Sequence, residues 1–515
     1  MNQFIQKHQT DTIGTLSGFD RLVLRGTLRT LAYAGGMMGF LSHRGVLLKD
    51  FGSYVEQTTE RLRKASCAAA QRLGRPVRYL PSAQTRKEDV ARQMAAADRI
   101  EEGLIGVLTC VEPCMSFEVR RDPTQKRLVL ESRRRKCLHL YHYWIDRDFG
   151  FMHARVQTWF PFTIQVCLNG REWLARQMDR RGIGYQRREN CFARLDDVAA
   201  AQRLFDRMLR LAWPEVLRKI AAHANPALPE ILAGLSLSYY WSVHQSEWAT
   251  DVMFQSRQAL AAVYPSLVRG SMLAFSSEDV MRFLGKAPRA NFQGEVVSDY
   301  KDRPEGVRVK HQVNHNSVKV YDKQGSVLRV ETTINDPSDF RVFRPKQNDP
   351  EGPCQWQPMR KGIADLHRRA EVSQACNDRY LEALASLNAD QPLRELVAPA
   401  CRPIRWHNRP VRALRPWSAE DRSLIEAVSR GEFAVNGLRN RDLVARLHPA
   451  ATTPEERRRA ASRVTRSLRM LRAHGILRKI PRTHRYLLTD RGRAMATAIL
   501  AYQHLTMEQL NQLAA

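Results

Sequence analysis

Five sulfur- and nitrogen-bearing side chains in the first third of the chain could bind a transition metal. Cys110 and Cys114 form a C-x₃-C pair, and Cys137, His139 and His142 follow in KCLHLYHYWID. Thiolate and imidazole are the ligands that Zn²⁺ prefers. This spacing is not a usual zinc pattern, and free cysteines are commonly buried in protein cores. We therefore expect no metal here, and we keep Cys110, Cys114, Cys137 and His139 as the zinc alternative.

A second reactive group lies in NSVKVYDKQGSVLRVETTIN, residues 316–335, where a tyrosine stands beside an aspartate and L-R-V-E follows on the next strand. The segment resembles a strand pair of phage and plasmid rolling-circle replication initiators. That resemblance implies that Tyr321 attacks a DNA phosphate. It also implies that Asp322, Glu331 and Glu295 hold the Mg²⁺ or Mn²⁺ ion that polarises this phosphate.

The expected hairpin register argues against this chemistry. If Gln324-Gly325 is a two-residue loop, Tyr321 shares a face with Leu328, while Asp322 and Glu331 share the other face. Asp322 and Glu331 then stand roughly 13 Å apart along the strands, which is too far to share one ion. A one-residue bulge changes this register. We favour a structural hairpin with Tyr321 in the core, and tyrosine-dependent DNA nicking is the enzymatic alternative.

Aromatic side chains interleaved with histidines over residues 139–162 could stack unpaired bases. They are Tyr141, Tyr143, Trp144, Phe149, Phe151, Trp159, Phe160 and Phe162. Aromatic residues at strand spacing belong more often to a protein core. The core interpretation is therefore favoured.

The last hundred residues show the clearest order of elements. Ser418 is typical of a helix start, and a second short helix, NRDLVARLHP, stops at a proline. Thr453 followed by Pro-Glu-Glu predicts the start of a long helix that ends at Gly475. Two short strands, ILRKI and RYLLT, follow, and a last helix begins near Asp490. Ala460, Val464, Leu468 and Leu471 predict one core-facing stripe on the long helix.

The phrase RMLRAHGILRKIPRTHRYLLTDRGR resembles the winged-helix DNA-binding domain of MarR-type bacterial regulators. In that family the third helix enters the major groove, and the wing follows the backbone or the minor groove. By position, the resemblance implies base contacts from Arg459, Ser462, Arg463 and Arg466. It implies phosphate contacts from Arg478, Lys479, Arg482 and His484. A homodimer through the C-terminal helix is a further expectation.

The charge of the chain points to a polyanionic partner. Lys and Arg number 82 against 53 Asp and Glu, which gives a net charge of +29, and 67 of the 82 basic residues are arginines. Residues 405–515 hold 22 basic and 9 acidic residues, so the excess is concentrated at this end of the chain. Guanidinium pairs with phosphates and with guanine edges. We therefore expect a nucleic-acid partner, DNA more than RNA.

The patterns together predict a multidomain α/β (α+β) protein: a mixed α/β region, a central helical and β-hairpin region, and a C-terminal winged helix. The expected segments are an α/β domain (1–225), a mostly helical segment (226–285), a β-rich segment (286–345), a helical segment (346–400), a basic linker (401–417) and the winged helix (418–515).

The sequence as a whole resembles a widespread family of long, uncharacterised bacterial proteins, through phrases such as LSGFDRLVLRGTLR and ETTINDPSDFRVFRPK. That resemblance gives no indication of what the protein does. No run of about 18 apolar residues and no secretory signal occurs, so we expect a cytoplasmic protein without membrane contact. Our main hypothesis is duplex-DNA binding through the C-terminal segment. The alternatives are a metal-dependent nickase, recombinase or replication initiator of a mobile element, and a partner of a structured RNA.

Overall fold

The computed structural model describes residues 1–503 except 125, 274, 276, 287–293, 302–307, 347, 388–392, 430–432, 434–436 and 482. The chain divides into two compact units, each built from separate stretches of sequence. The sheet unit comprises Gly14–Met253 and Thr333–Gln374. The terminal unit comprises Met1–Ile13, Phe254–Thr332 and Ala375–Ala515.

The helices are α1 Asn2–Lys7, α2 Ala34–His43, α3 Phe51–Arg72, α4 Lys87–Ala97, α5 Gly170–Asp179, α6 Val198–Arg207, α7 Trp213–Ala224, α8 Leu228–Ile231, α9 Arg257–Leu273, α10 Ser277–Phe283, α11 Leu366–Leu387, α12 Leu393–Val397, α13 Ala419–Val428, α14 Asn440–Leu447, α15 Pro454–Ala473 and α16 Asp490–Gln503. Among the described residues, none of these helices has both the length and the apolar character that crossing a bilayer requires.

The strands are β1 Thr12–Thr27, β2 Val77–Tyr79, β3 Gly103–Asp122, β4 Arg127–Asp146, β5 Gly150–Gln157, β6 Ile164–Asn169, β7 Tyr185–Arg187, β8 Phe192–Leu195, β9 Tyr240–Phe254, β10 Val296–Lys301, β11 Arg308–Val313, β12 Asn316–Lys323, β13 Val327–Ile334, β14 Arg341–Arg344, β15 Gln355–Pro358, β16 Ile404–Trp406, β17 Arg409–Val411, β18 Leu477–Lys479 and β19 Tyr486–Leu488.

The sheet unit is built on a mixed sheet with the strand order β9-β1-β6-β5-β4-β3-β2. Strand β2 runs parallel to β3, while β3–β4, β4–β5, β5–β6 and β1–β6 are antiparallel pairs. On β6, Ile164, Val166 and Leu168 are buried and the residues between them are half-buried. This alternation is typical of a strand with one face packed on a core. The prediction of a mixed α/β protein is confirmed.

Helix α5 is fixed to the sheet by a buried arginine. Arg171 donates to the Asp251 carboxylate at 3.0 Å and to the carbonyl oxygens of Gly18 and Ala249 at 3.3 Å. The side chains of Arg171 and Asp251 are 0% and 1% exposed. Asn169 caps the same helix by accepting from the backbone N–H of Arg171. Removing one partner of such a buried pair costs on the order of 3–5 kcal/mol, because the other charge stays buried and unpaired.

The terminal unit contains the strand order β10-β11-β12-β13, in which β11 is antiparallel to both β10 and β12. A separate hydrophobic core lies in the C-terminal part of this unit, and its buried residues run from Val397 to Ile499. Leu424, Val464 and Leu468 belong to this core. The C-terminal segment therefore has its own packed interior.

The prediction that residues 226–285 are mostly helical is wrong for a long stretch, because Tyr240–Phe254 forms strand β9. The residues from Trp248 to Phe254 are all buried. A strand covered on both faces shows no polar–apolar alternation, so its periodicity resembles that of a buried helix. The aromatic and β-branched residues of YWSVHQSEWATDVMF were the available strand signal.

Residues 401–417, expected to be a linker, contain structure of their own. Strands β16 and β17 form a hairpin in which Ile404 pairs with Val411. Val411 and Leu414 are buried in the C-terminal core. Prolines and arginines dominate the composition of this stretch. The two apolar side chains nevertheless attach it to the core.

Buried histidines make the unfolding free energy depend on pH. Burial lowers the pKa of His142 from 6.5 to about 4. The ring of His142 stacks on Trp144 with 5.7 Å between ring centroids. Above pH 7 this ring is neutral in the folded and the unfolded state. As the pH falls from 6.5 to about 4, His142 binds a proton only in the unfolded chain. The unfolding free energy therefore decreases by roughly 3 kcal/mol.

We predict that His142→Leu reduces the pH dependence of the unfolding free energy between pH 6.5 and 4 by about one bound proton. The matched control is His43→Leu, which makes the same exchange of side chain at an exposed position. Urea unfolding at several pH values, followed by circular dichroism, measures both slopes. Equal slopes for the two variants would contradict the assignment of a neutral, buried His142.

Candidate nucleic-acid interface

Helix α15 begins and ends where its sequence predicts. The Thr453 hydroxyl accepts from the backbone N–H of Glu456 at 3.2 Å, and the Glu456 carboxylate accepts from the backbone N–H of Thr453 at 3.1 Å. These backbone hydrogen bonds lower the pKa of Glu456, because they favour the ionised carboxylate. Gly475 follows the helix with a φ of +70°, a conformation that glycine adopts without strain.

The predicted core stripe of α15 is confirmed. Ala460, Val464, Leu468 and Leu471 are each at most 4% exposed. Their spacing places them on one side of the helix, so packing fixes which side faces outward.

The outward side of α15 carries the side chains that were predicted to face bases. Arg459, Ser462, Arg463 and Arg466 are all exposed. Among the described residues, no carboxylate lies within 4.0 Å of the three arginine side chains. Their charges are therefore available to an external anion.

The hairpin after α15 carries further exposed basic groups. In the pairing of β18 with β19, Arg478 stands opposite Leu487 and Lys479 opposite Tyr486. Arg478, Lys479 and His484 are exposed. Arg482, the remaining predicted phosphate contact, lies outside the described residues.

The backbone at Leu438 forms a bridge to β19 of this hairpin. Leu438 and Tyr486 exchange backbone hydrogen bonds of 2.8 and 2.9 Å. The preceding Gly437 has a φ of +68°, and a Cβ atom there would lie 2.7 Å from the carbonyl oxygen of Tyr486. Glycine is therefore required where the chain passes the hairpin. The resulting order is helix, bridge, helix, helix, two strands and helix.

Asp421 connects α13 to the hairpin formed by β16 and β17. The Asp421 carboxylate accepts from both terminal nitrogens of Arg412, at 2.6 and 2.5 Å, and from the backbone N–H of Arg415 at 2.8 Å. Asp421 is 1% exposed. Although burial raises the pKa of this carboxyl, the hydrogen bonds and the charge of Arg412 lower it by more. The ionised form is therefore the stable one at neutral pH.

The zinc candidates do not meet as a set of ligands. The Cys114 and Cys137 sulfurs lie 2.8 Å apart. His139 faces other groups: its Nδ1 lies 3.2 Å from the carbonyl oxygen of Cys137, and its Nε2 lies 3.3 Å from a guanidinium nitrogen of Arg155. The Cys110 sulfur contacts the backbone carbonyl of Val111 at 3.8 Å. Burial, followed by the charge of Arg155, lowers the pKa of His139 to about 4.

Tyr321 lies on a different face from the one its expected register gave it. Its hydroxyl donates to the Glu331 carboxylate at 2.8 Å, and Lys319 contacts the same carboxylate at 2.6 Å. In the structure Gln324–Ser326 separates β12 from β13. Tyr321 and Glu331 share a face when the pairing is offset by one residue from the two-residue-loop register. The predicted grouping of Tyr321 with Leu328 is therefore wrong, and the ring is half-buried.

The other two predicted metal ligands lie elsewhere. Asp322 accepts from the backbone N–H of Gly325 at 2.8 Å and so stabilises the turn. Glu295 is exposed and precedes β10 at the end where Val296 pairs with Val313. Tyr321 pairs with Arg308 at the opposite end of these strands. The structure thus leaves the predicted set of Asp322, Glu331 and Glu295 unassembled.

The aromatic run of residues 139–162 belongs mainly to the core, as expected. Its fully covered members are Tyr141, Tyr143, Phe149, Phe160 and Phe162, each at most 7% exposed. An exposed aromatic pair occurs where the sequence analysis did not place one, in the hairpin of β14 and β15. Phe343 and Trp356 pair across these strands and are 58% and 47% exposed. A short aromatic–polar alternation around each residue was the only available signal.

Comparison with known proteins gave no match to any family model, curated protein or solved structure.

We predict that Asp421→Asn lowers the unfolding free energy by about 2–3 kcal/mol, because Arg412 loses the buried carboxylate to which it donates two hydrogen bonds. Thermal unfolding of the full-length protein measures the loss. The neighbouring exposed Glu420→Gln removes the same charge and should change stability by less than about 0.5 kcal/mol. Similar losses in both variants would show that the net charge, and not the Arg412 contact, is responsible.

Proposed function

We propose that this chain is a nucleic-acid-binding protein and that its C-terminal segment binds duplex DNA as a winged helix. The observation that supports the proposal best is the outward face of α15. Arg459, Arg463 and Arg466 are exposed there and have no carboxylate within 4.0 Å among the described residues. A basic helix of this kind fits the major groove, where arginine pairs with guanine.

The hairpin of β18 and β19 supports the same proposal. Arg478 and Lys479 are adjacent in sequence on β18 of this hairpin, and both are exposed. In a winged helix, cations at this position contact phosphates, which positions the protein without reading the sequence. The excess of 22 basic over 9 acidic residues in 405–515 adds a long-range attraction to a polyanion. Duplex DNA is therefore the preferred partner, and structured RNA is the alternative.

We predict that full-length protein binds a duplex DNA pool with a strong dependence on salt, since phosphate contacts release counterions. Arg463→Ala and Arg466→Ala should each weaken binding by about 1–3 kcal/mol if they reach base edges. Arg422→Ala is the matched control, because Arg422 is exposed on α13 of the same segment and carries the same charge. Fluorescence anisotropy at several salt concentrations measures all three.

Two results would contradict this proposal. Binding that is equally strong at low and high salt would exclude a phosphate-dominated contact. An equal loss from Arg422→Ala would show that total charge, and not the face of α15, determines affinity. Stronger binding to a structured RNA than to any duplex DNA would favour the RNA alternative.

The enzymatic alternative depends on Tyr321, whose hydroxyl is held by Glu331 at 2.8 Å. A tyrosine nucleophile forms a covalent link to a DNA phosphate. Since Asp322 and Glu295 lie away from this hydroxyl, we predict no nicking that depends on Tyr321. Supercoiled and single-stranded DNA incubated with Mg²⁺ or Mn²⁺ should give no protein–DNA adduct. An adduct that is lost in Tyr321→Phe would make strand cleavage the function of the chain.

A further inference from the structure

A small cleft in the sheet unit combines one arginine with several hydroxyl groups. Its volume is about 90 Å³, and its polar lining includes Arg25, Thr27, Ser116, Ser132 and Thr163. Pockets for drug-sized molecules measure roughly 300–1,000 Å³. This cleft is too small for such a ligand, and it suits a single tetrahedral group.

Arg25 gives the cleft a positive charge that no described carboxylate balances. Its side chain is half-buried, and among the described residues no carboxylate lies within 4.0 Å of it. Arg25 on β1 and Arg155 on β5 both pair with Gln165 on β6, so the two arginines lie on the same face of the sheet. Burial and then the charge of Arg155 lower the pKa of Arg25. An incoming anion would relieve this repulsion.

Further cations act on the same part of the sheet. Burial lowers the pKa of His244, and the charges of Arg25, Lys361, Arg369 and Arg155 lower it further. Arg155 and Lys361 have carboxylate partners, Glu112 at 3.6 Å and Asp336 at 4.0 Å, whereas Arg25 and Arg369 have none within 4.0 Å among the described residues. A positive potential in a concave site with low-dielectric walls concentrates anions.

The hydroxyl groups supply donors beside the arginine. Ser116 donates to the carbonyl oxygen of Phe160 at 2.7 Å, so its proton is already used. The hydroxyls of Thr27, Ser132 and Thr163 have no hydrogen-bond partner in the described part of the chain. Each can therefore donate one O–H group to a ligand oxygen.

We propose that this cleft is a phosphate-binding site. Arg25 binds two phosphate oxygens through its planar guanidinium, and Thr27, Ser132 and Thr163 donate to the remaining oxygens. The ligand is a single phosphate group, either free or carried by a nucleic acid. The site lies in the sheet unit, so it does not depend on the C-terminal segment.

Phosphate binding by the full-length protein tests this proposal. Inorganic phosphate is titrated at low ionic strength and followed by isothermal calorimetry, with chloride as the reference anion. Arg25→Gln should weaken phosphate binding at least tenfold. Arg21→Gln is the matched control: Arg21 is exposed four positions earlier on the same strand, and its loss should change affinity less than twofold.

A second variant tests the same site in case Arg25→Gln does not fold. Thr163→Val keeps the shape of the side chain and removes only the hydroxyl, so it should weaken phosphate binding severalfold without lowering the melting temperature. The proposal fails if the unaltered protein binds no phosphate, or if Arg25→Gln binds it as tightly as Arg21→Gln does. Arg463→Ala should retain phosphate binding, which separates this site from the proposed DNA interface.

A competition experiment shows whether the bound phosphate is a free ion or part of a nucleic acid. A trinucleotide with a 5′-phosphate and its unphosphorylated counterpart are each added to the phosphate-loaded protein. Displacement by the phosphorylated form alone identifies a terminal phosphate as the ligand, and displacement by both identifies a backbone diester. Displacement by neither leaves the free ion as the ligand.

Discussion

The sheet unit depends on arginine side chains that are buried away from water and therefore need hydrogen-bond partners within the protein. Arg171 and Asp251 have almost no exposed surface, and the arginine also donates to the carbonyl oxygens of Gly18 and Ala249. Arg369 is similarly buried and donates to the carbonyls of Val243 and Ile334 at 2.8 and 2.9 Å. The terminal nitrogens of both guanidinium groups are hydrogen-bonded, which offsets the cost of burying the charge, while the two Nε atoms have no hydrogen-bond partner among the described residues. These two arginines therefore link segments that are far apart in sequence.

The presence or absence of a carboxylate partner distinguishes arginines that stabilise the fold from arginines whose charge is not balanced by a neighbouring residue. Arg171 and Arg412 have carboxylate partners, and their geometry is fixed by bonds to them. Arg25 and Arg463 have no carboxylate within 4.0 Å among the described residues. Composition alone counts all of these side chains equally. A high arginine content supports nucleic-acid binding only through the members that remain unneutralised.

Local features of the sequence predicted the two ends and the buried face of α15. Thr453, the stripe from Ala460 to Leu471 and Gly475 act within one or two helical turns, so their pattern is complete in a short stretch. The register around Tyr321 could not be predicted in this way, because an offset of one residue exchanges the two faces of a strand. Strand β9 was missed because burial on both faces removes alternation. The cleft at Arg25 requires side chains from several strands, and no short motif contains them.

The division of the terminal unit into three stretches has a consequence for synthesis of the chain. Gln255 bonds to residues just before β1: its backbone N–H donates to Asp11 at 2.8 Å and its side chain to Thr10 at 2.9 Å. These contacts span about 245 residues, and ribosomes add roughly 5–20 residues per second. The first segment therefore waits roughly 10–50 s for its partner after it is made. Until then the terminal unit cannot be completed, because it requires stretches of sequence from both sides of the sheet unit.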